Sequence, residues 1–133
     1  MTKPSKTFSP TRSRDKVLQT LYELELSKED LKYVLKNHPS EKYNAFYKDI
    51  LKGVLDNQEN IDEVIQKNLD RPIKQLDVIE KNALRIALFE LKIKELDSAI
   101  IINESIRMTK KYGSVEGYKL VNAVLDKIIK ASL

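Results

Sequence analysis

The sequence predicts an all-α fold, a compact single domain of about seven helices around one buried central helix, and three observations predict it. Gly and Pro account for only 3 and 4 of 133 residues, while Lys, Glu, Leu and Ile are plentiful and Val is scarce, a balance that favours helix over sheet. Apolar residues recur at i, i+3, i+4 spacing in one segment after another. The stretch Asp77 to Lys94 carries Ile79, Ala83, Leu84, Ile86, Ala87, Leu88 and Leu91 around most of its circumference. A helix hydrophobic nearly all round is buried by its neighbours. This one is too short and too charged at its ends to span a bilayer, which takes about 20 predominantly apolar residues. Arg85 and Glu90 interrupt it and need partners, because an unpaired buried charge is strongly destabilising.

Taken in order, residues 1–8 form a flexible basic N-terminal tail without periodicity, and residues 9–133 form the helical domain. Ser9-Pro10 pairs a capping residue with a proline that suits the first helical position, so a helix starts there and runs to about Leu26. Val17, Leu18, Leu21 and Tyr22 face the core, leaving Arg12, Arg14 and Lys16 on the first turns. Ser27 with Asp30 resembles a capping box for a short helix carrying Leu31, Val34 and Leu35. His38-Pro39 ends it, since the residue before proline is pushed out of the helical region. Ser40-Glu41 opens the next helix, with Tyr43, Phe46, Tyr47, Ile50, Leu51, Val54 and Leu55 along one stripe. The four aromatics Tyr33, Tyr43, Phe46 and Tyr47 fit a core better than a base-stacking platform. After a polar break from Asp56 to Asn60, Ile61, Val64, Ile65 and Leu69 mark a further helix, ended at Arg71-Pro72. Asp77 caps the central helix. Asp97 or Ser98 caps the helix of Ile100, Ile101, Ile102, Ile106 and Met108. Gly113 stops that helix in the C′ position, and Ser114 caps the last one, which carries Tyr118, Leu120, Val121, Val124, Leu125, Ile128 and Ile129.

Composition narrows the function classes. There is no Cys, so disulfides and thiolate zinc sites are excluded and an intracellular, cytoplasmic setting is expected. No secretory signal and no transmembrane span is recognisable. The formal charge of +4 is unevenly placed. Residues 1–16 hold Lys3, Lys6, Arg12, Arg14 and Lys16 against Asp15 alone, and the rest of the chain balances 19 basic with 19 acidic side chains. A cationic arm on a neutral body usually contacts polyanions, RNA or DNA ahead of lipid. Its bland alternative is a solvated terminus.

Catalytic patterns are missing. Gly53, Gly113 and Gly117 are scattered and make no phosphate loop. No His/Cys/Asp/Glu set has metal spacing and no nucleophile elbow is present. His38 is a lone loop histidine. Glu90 and Glu104 read as ion-pair partners for Arg85 or as caps of loop amides, ahead of an acid and base. The expectation is a non-enzyme without cofactor or metal.

Five pieces of sequence in register go further: Arg12-x-Arg14…Gln19-x-Leu21-Tyr22; Phe46-Tyr47-Lys48-Asp49-Ile50-Leu51-x-Gly53-Val54; Ile79-Glu80-Lys81-x-x-Leu84 to Leu91; Ile102-Asn103-Glu104-Ser105 with Lys110-Lys111-Tyr112-Gly113; and Leu120 to Lys127. Over about residues 9–130 the chain resembles the NusB family. The resemblance implies an all-helical transcription antitermination factor, acting in DNA-templated transcription termination. Such a factor binds boxA RNA with the ribosomal protein NusE and joins the other Nus factors at RNA polymerase, including during rRNA transcription. It implies RNA contacts from Lys6, Arg12 and Arg14 and from a second segment with Glu116, Lys119 and Leu120. Tyr22, Arg71 and Glu80 match positions nearer the NusE surface. A homodimer of the free protein is a further partner state the family reading admits.

The chain departs from the family pattern in places. Lysines replace arginines in the arm and lack the planar bidentate fork. Leu120 stands where the family often has Phe, and stacking on an aromatic ring contributes about 1–3 kcal/mol per base. Asp97 replaces a usual proline, and Ala123 a usual glycine, which asks for room between helices. Asn103, Glu104 and Asn122 read as buried, fold-building polar residues. Arg12 and Arg14 read as exposed RNA contacts, so Arg14→Ala is expected to weaken RNA binding and spare the fold. The alternatives are a helical protein-interaction module that has lost specific RNA binding, and an RNA-targeting accessory domain such as those fused to RNA methyltransferases, against which the chain's end at Leu133 counts.

Overall fold

A computed structural model describes residues 8–132. Lys6 and most of the expected tail lie outside the described residues. Seven α-helices and two 3-10 turns make up the ordered elements, with no strand among the described residues. They are α1 (Pro10–Ser27), α2 (Leu31–Leu35), a turn at Pro39–Glu41, α3 (Ala45–Asp56), α4 (Gln58–Lys67), a turn at Ile73–Gln75, α5 (Val78–Ile93), α6 (Ser98–Tyr112) and α7 (Gly117–Ala131). No described helix is long and apolar enough to cross a membrane.

Local chemistry sets the helix ends. Ser9 accepts the Arg12 N–H at 3.3 Å with Pro10 in the first turn, and α1 ends at Lys28 in the left-handed region at φ 60°. Asp77 accepts the Ile79 N–H at 2.9 Å to open α5, which also ends on a left-handed lysine, Lys94 at φ 53°. Elsewhere the boundaries move by a few residues from the expected ones. Ser27 is the last residue of α1, bonded back to the Glu23 carbonyl at 2.6 Å, and Asp30 is the cap of α2, accepting from Tyr33 N–H. Asn44, not Ser40, opens α3 by accepting from Tyr47 N–H at 3.1 Å. Glu116, not Ser114, precedes α7. Gly113 is extended at φ −95°, so it is not a left-handed stop. A Cβ there would stand 2.7 Å from the Thr109 carbonyl that its own N–H bonds. Its small size, rather than its conformational freedom, lets the chain leave α6.

The central helix lies between two hydrophobic clusters. Leu84, Ala87 and Leu88 face Ile61, Ile65, Ile101, Val121, Val124 and Leu125 from α4, α6 and α7. Ile86 faces Val17, Leu18, Leu21, Tyr47, Ile50, Val54 and Met108 from α1, α3 and α6. Phe89 packs against both clusters, its ring filling the space beside Gly53, where a Cβ would come within 2.1 Å. That glycine lets α3 and α5 approach.

Several expectations about faces need correction. Tyr22 is 40% exposed, because Leu18 and Leu21 occupy the α1 core stripe. Of the four aromatics only Tyr47 is buried and Phe46 half-buried. Tyr43 is 80% exposed, lying ahead of the Asn44 cap and off the packed face, and Tyr33 stands out from the short α2. Asn103, Asn122 and Ala123 are exposed, so the two amides build no core and Ala123 needs no extra room. Glu90 does not pair with Arg85; five positions apart, the two point to different sides of α5. Arg85 instead forms a bidentate pair with Asp62 of α4 at 2.8 Å and bonds Asn82 at 3.0 Å. Glu25 of α1 joins that group through Lys81 and Arg85.

Candidate nucleic-acid interface

The start of α1 is clamped to α5 and α6 by alternating charges. Arg14 Nε and Nη2 each stand 2.7 Å from an oxygen of Glu90. Its Nη1 donates to Glu104 at 2.9 Å, and its guanidinium lies 5.1 Å from the Phe46 ring centroid. Glu104 also accepts from Thr11 Oγ1 at 2.9 Å and from Arg107 Nε at 2.7 Å. Arg107 continues to Asp15 at 2.9 Å and donates to the Thr11 carbonyl at 3.3 Å. Asp15 in turn meets Lys111 and the Tyr112 hydroxyl, each at 3.3 Å. Planar fork-to-carboxylate pairing of this kind is among the stronger charge-assisted arrangements.

Burial disfavours charge on Arg14, yet the hydrogen bonds and charges of Glu90 and Glu104 outweigh it and leave the guanidinium's proton held more tightly than usual. Glu104 behaves correspondingly. Burial pushes its carboxyl up, but Arg107, Thr11 and Arg14 together bring it below the ordinary carboxylate range. The same opposition raises Arg107 above its usual value, with burial outweighed by Glu104 and Asp15. These groups are all ionised at neutral pH.

Arg12 and Arg14 therefore part company. Arg12 keeps 49% of its side chain exposed and touches Glu41 at 3.3 Å. Glu41 is held below its ordinary value because Ser40, Asn44 and Arg12 outweigh burial. Arg14 is only 3% exposed, so the exposed first-turn position expected for it is not observed. Its guanidinium is turned inward onto two carboxylates, and its removal would leave Glu90 buried without that partner.

The second expected segment is at the opposite end of α6. Glu116 and Lys119 are exposed and paired with each other at 2.6 Å. Leu120 is half-buried and packs against the α5–α7 core cluster. Between α1 and this segment lie Arg107, which the motifs leave out, and Lys110 and Lys111, which they include without an RNA role. Arg107 and Lys111 bridge α6 to Asp15 on α1. Lys110 sits 4.7 Å over the Tyr118 ring of α7. Arg107, Lys111 and Lys110 thus lie on α6 between Asp15 of α1 and Tyr118 of α7, while Arg12 and Lys119 are exposed on α1 and α7, each paired with a glutamate. The available signal was the adjacent Lys110-Lys111 pair on the last turn of an amphipathic helix.

The three partner-surface candidates differ in exposure. Tyr22 and Arg71 are exposed, with Arg71 against Asp70 at 3.0 Å. Glu80 is 6% exposed, which is not an accessible docking position. Its carboxylate fills the space over Gly117, where a Cβ would meet it at 2.4 Å. Burial first, and Asp77 second, push its carboxyl above the ordinary value, against the Ser114 hydrogen bond. It connects the start of α5 to the start of α7. His38 is also buried, its Nε2 2.9 Å from Glu23. Among the described residues no group of three or more His, Cys, Asp or Glu is placed to hold a metal ion.

Comparison with known proteins gives consistent matches. The model of the NusB family matches residues 11–130. The transcription antitermination protein NusB of Marinobacter nauticus is 33% identical over 136 residues, covering 94% of this chain and 86% of that protein. The solved structure of T. maritima NusB is similar with a TM-score of 0.84 and 30% identity, covering 94% of this chain and 93% of that one. A structure of antitermination factors NusB and NusE in complex with dsRNA is similar with a TM-score of 0.78 and 29% identity, over 91% of this chain and 96% of the matched one.

Proposed function

This chain belongs to the NusB family, and from that membership we propose that it is a transcription antitermination factor that binds boxA RNA together with ribosomal protein NusE. It then joins the other Nus factors at RNA polymerase, including on rRNA transcripts. The observation that carries the RNA reading is the set of cations on α1, α6 and α7, with Arg107, Lys110 and Lys111 of α6 set between Asp15 of α1 and Tyr118 of α7, and Arg12 and Lys119 exposed on the flanking helices. Its counterpart among relatives is the solved assembly of NusB, NusE and dsRNA.

In this reading Arg12 and Lys119 meet phosphates, with Lys6 extending the contact from the basic segment 1–8 ahead of the helical domain 9–133. Phosphate contacts supply salt-dependent affinity, and a few base-edge contacts supply the preference for boxA. Tyr118, under Lys110 and turned about 200° around α7 from Leu120, offers a half-buried ring on which a base can stack in this segment. Arg14 acts as a positioning residue that fixes the angle of the α1 start, and Glu80 does the same for α7. Tyr22 and Arg71 lie on the NusE side. The protein works by recognition, without turnover, in the cytoplasm.

A titration of labelled boxA RNA and a scrambled control, with and without NusE, tests this. Tighter binding to boxA that strengthens further with NusE is expected. Equal affinity for both RNAs, unmoved by NusE, would leave the protein-interaction module, the reading that half-buried Leu120 favours.

A further inference from the structure

A groove of about 920 Å³ lies between α2, the Pro39–Glu41 turn and α3, and its lining meets the cations of α1 at Glu41, which pairs with Arg12. Its walls carry the same residue types at different depths, with Leu51 buried and Leu55 half-buried on the α3 side. On α2, Leu31 and Leu35 are i, i+4 neighbours beside Lys32 and Lys36; on α3, Leu51 and Leu55 are i, i+4 neighbours beside Lys48 and Lys52. Residues at that spacing share one helix face, roughly 6 Å apart. Each wall therefore carries a leucine pair and a lysine pair. Leu31 and Leu35 are each 37% exposed.

Charge is lopsided here. Lys52 pairs with Asp56, and Glu41 is turned away into its bonds with Arg12, Ser40 and Asn44. Lys32, Lys36, Lys42 and Lys48 form no ion pair among the described residues, although the body of the chain is electrically balanced. We propose that this groove docks an acidic amphipathic helix of a protein partner, its apolar stripe on the leucines and its carboxylates on the lysine rows. The α3 wall from Tyr47 to Asp56 spans about 15 Å at 1.5 Å per residue, room for some three turns of a helix. Leucine anchors at i, i+3, i+4 and i+7 are the usual reading of helix-in-groove binding. A leucine floor is a poor surface for phosphates, which disfavours RNA. A second copy docked about a two-fold axis would set lysine rows against lysine rows.

The probe is a fluorescein-labelled 16-residue peptide with Leu at i, i+3, i+4 and i+7 and Glu at most other positions. Its controls are a peptide of identical composition with the leucines scattered, and boxA RNA. Anisotropy gives affinity, and amide shifts of the isotope-labelled full chain give the location. The expected result is peptide binding that shifts amides of α2 and α3, with at least about tenfold weaker binding for the Lys36→Glu/Lys48→Glu double variant. Leu35→Glu should weaken binding about tenfold as well. Both variants should keep wild-type circular dichroism and boxA affinity. No shift at α2 and α3 with millimolar peptide, equal binding of the scattered control, or undiminished binding by the lysine variant would overturn the proposal. So would boxA RNA shifting these same amides, which would make the groove part of the RNA site.

Discussion

Two positions separate Arg12 from Arg14, which on an α-helix turns their side chains about 200° apart. Arg12 faces solvent over Glu41, and Arg14 faces inward onto Glu90 and Glu104. Truncating them should therefore give opposite results. Arg14→Ala should cost about 3–5 kcal/mol of stability in urea unfolding, because it strands a buried carboxylate. Arg12→Ala should leave unfolding nearly unchanged, weaken boxA binding and lower the slope of log affinity against log salt by about 1. The carboxylates of the clamp also set an acid limit. Glu104 sits below its ordinary value of 4.5 in the folded chain, so the stability it contributes is present above that value and lost as pH falls through the lower folded one. Urea midpoints measured from about pH 6 down to pH 3 should fall, and Glu104→Gln should flatten that fall. The inward turn of Arg14 could not be read from its neighbours in sequence. Its two acceptors stand 76 and 90 positions away, and only the packing of α5 and α6 brings them to it. The burial of Glu80 was hidden for the same reason, since Gly117 makes its pocket.

At the scale of elements, α5 was the most legible, because its apolar circumference has one physical explanation and the two clusters supply it. Ile86→Ala should destabilise by about 2–5 kcal/mol, measured by thermal or urea unfolding, since Ile86 is the α5 residue buried within the cluster of α1, α3 and α6. Helix starts were less legible. Ser27 and Asp30, or Ser40 and Asn44, are all capable caps, and the choice between them is made by tertiary packing. The short α2 was readable as a helix, but the side on which it leaves Leu31, Leu35 and Tyr33 was not. A five-residue helix has too few turns for its stripe to point unambiguously.

Over the whole molecule, charge is partitioned as well as summed. The excess of +4 lies in residues 1–16, and folding brings Arg107 and Lys111 of α6 against Asp15 beside that basic start. The fold class and the family pattern were legible because they rest on periodicity spread over most of the chain. The place of Arg107, Lys110 and Lys111 in the proposed RNA surface was not, because they reach it through contacts with Asp15 and Tyr118 on other helices. The measurement that bears most directly on this account is an amide-shift map of the isotope-labelled chain titrated with boxA RNA. The largest changes should fall at Arg12, Arg107, Lys110, Lys111, Tyr118 and Lys119, with the leucine faces of α2 and α3 silent. Changes centred on other helices, with those cations unmoved, would contradict it.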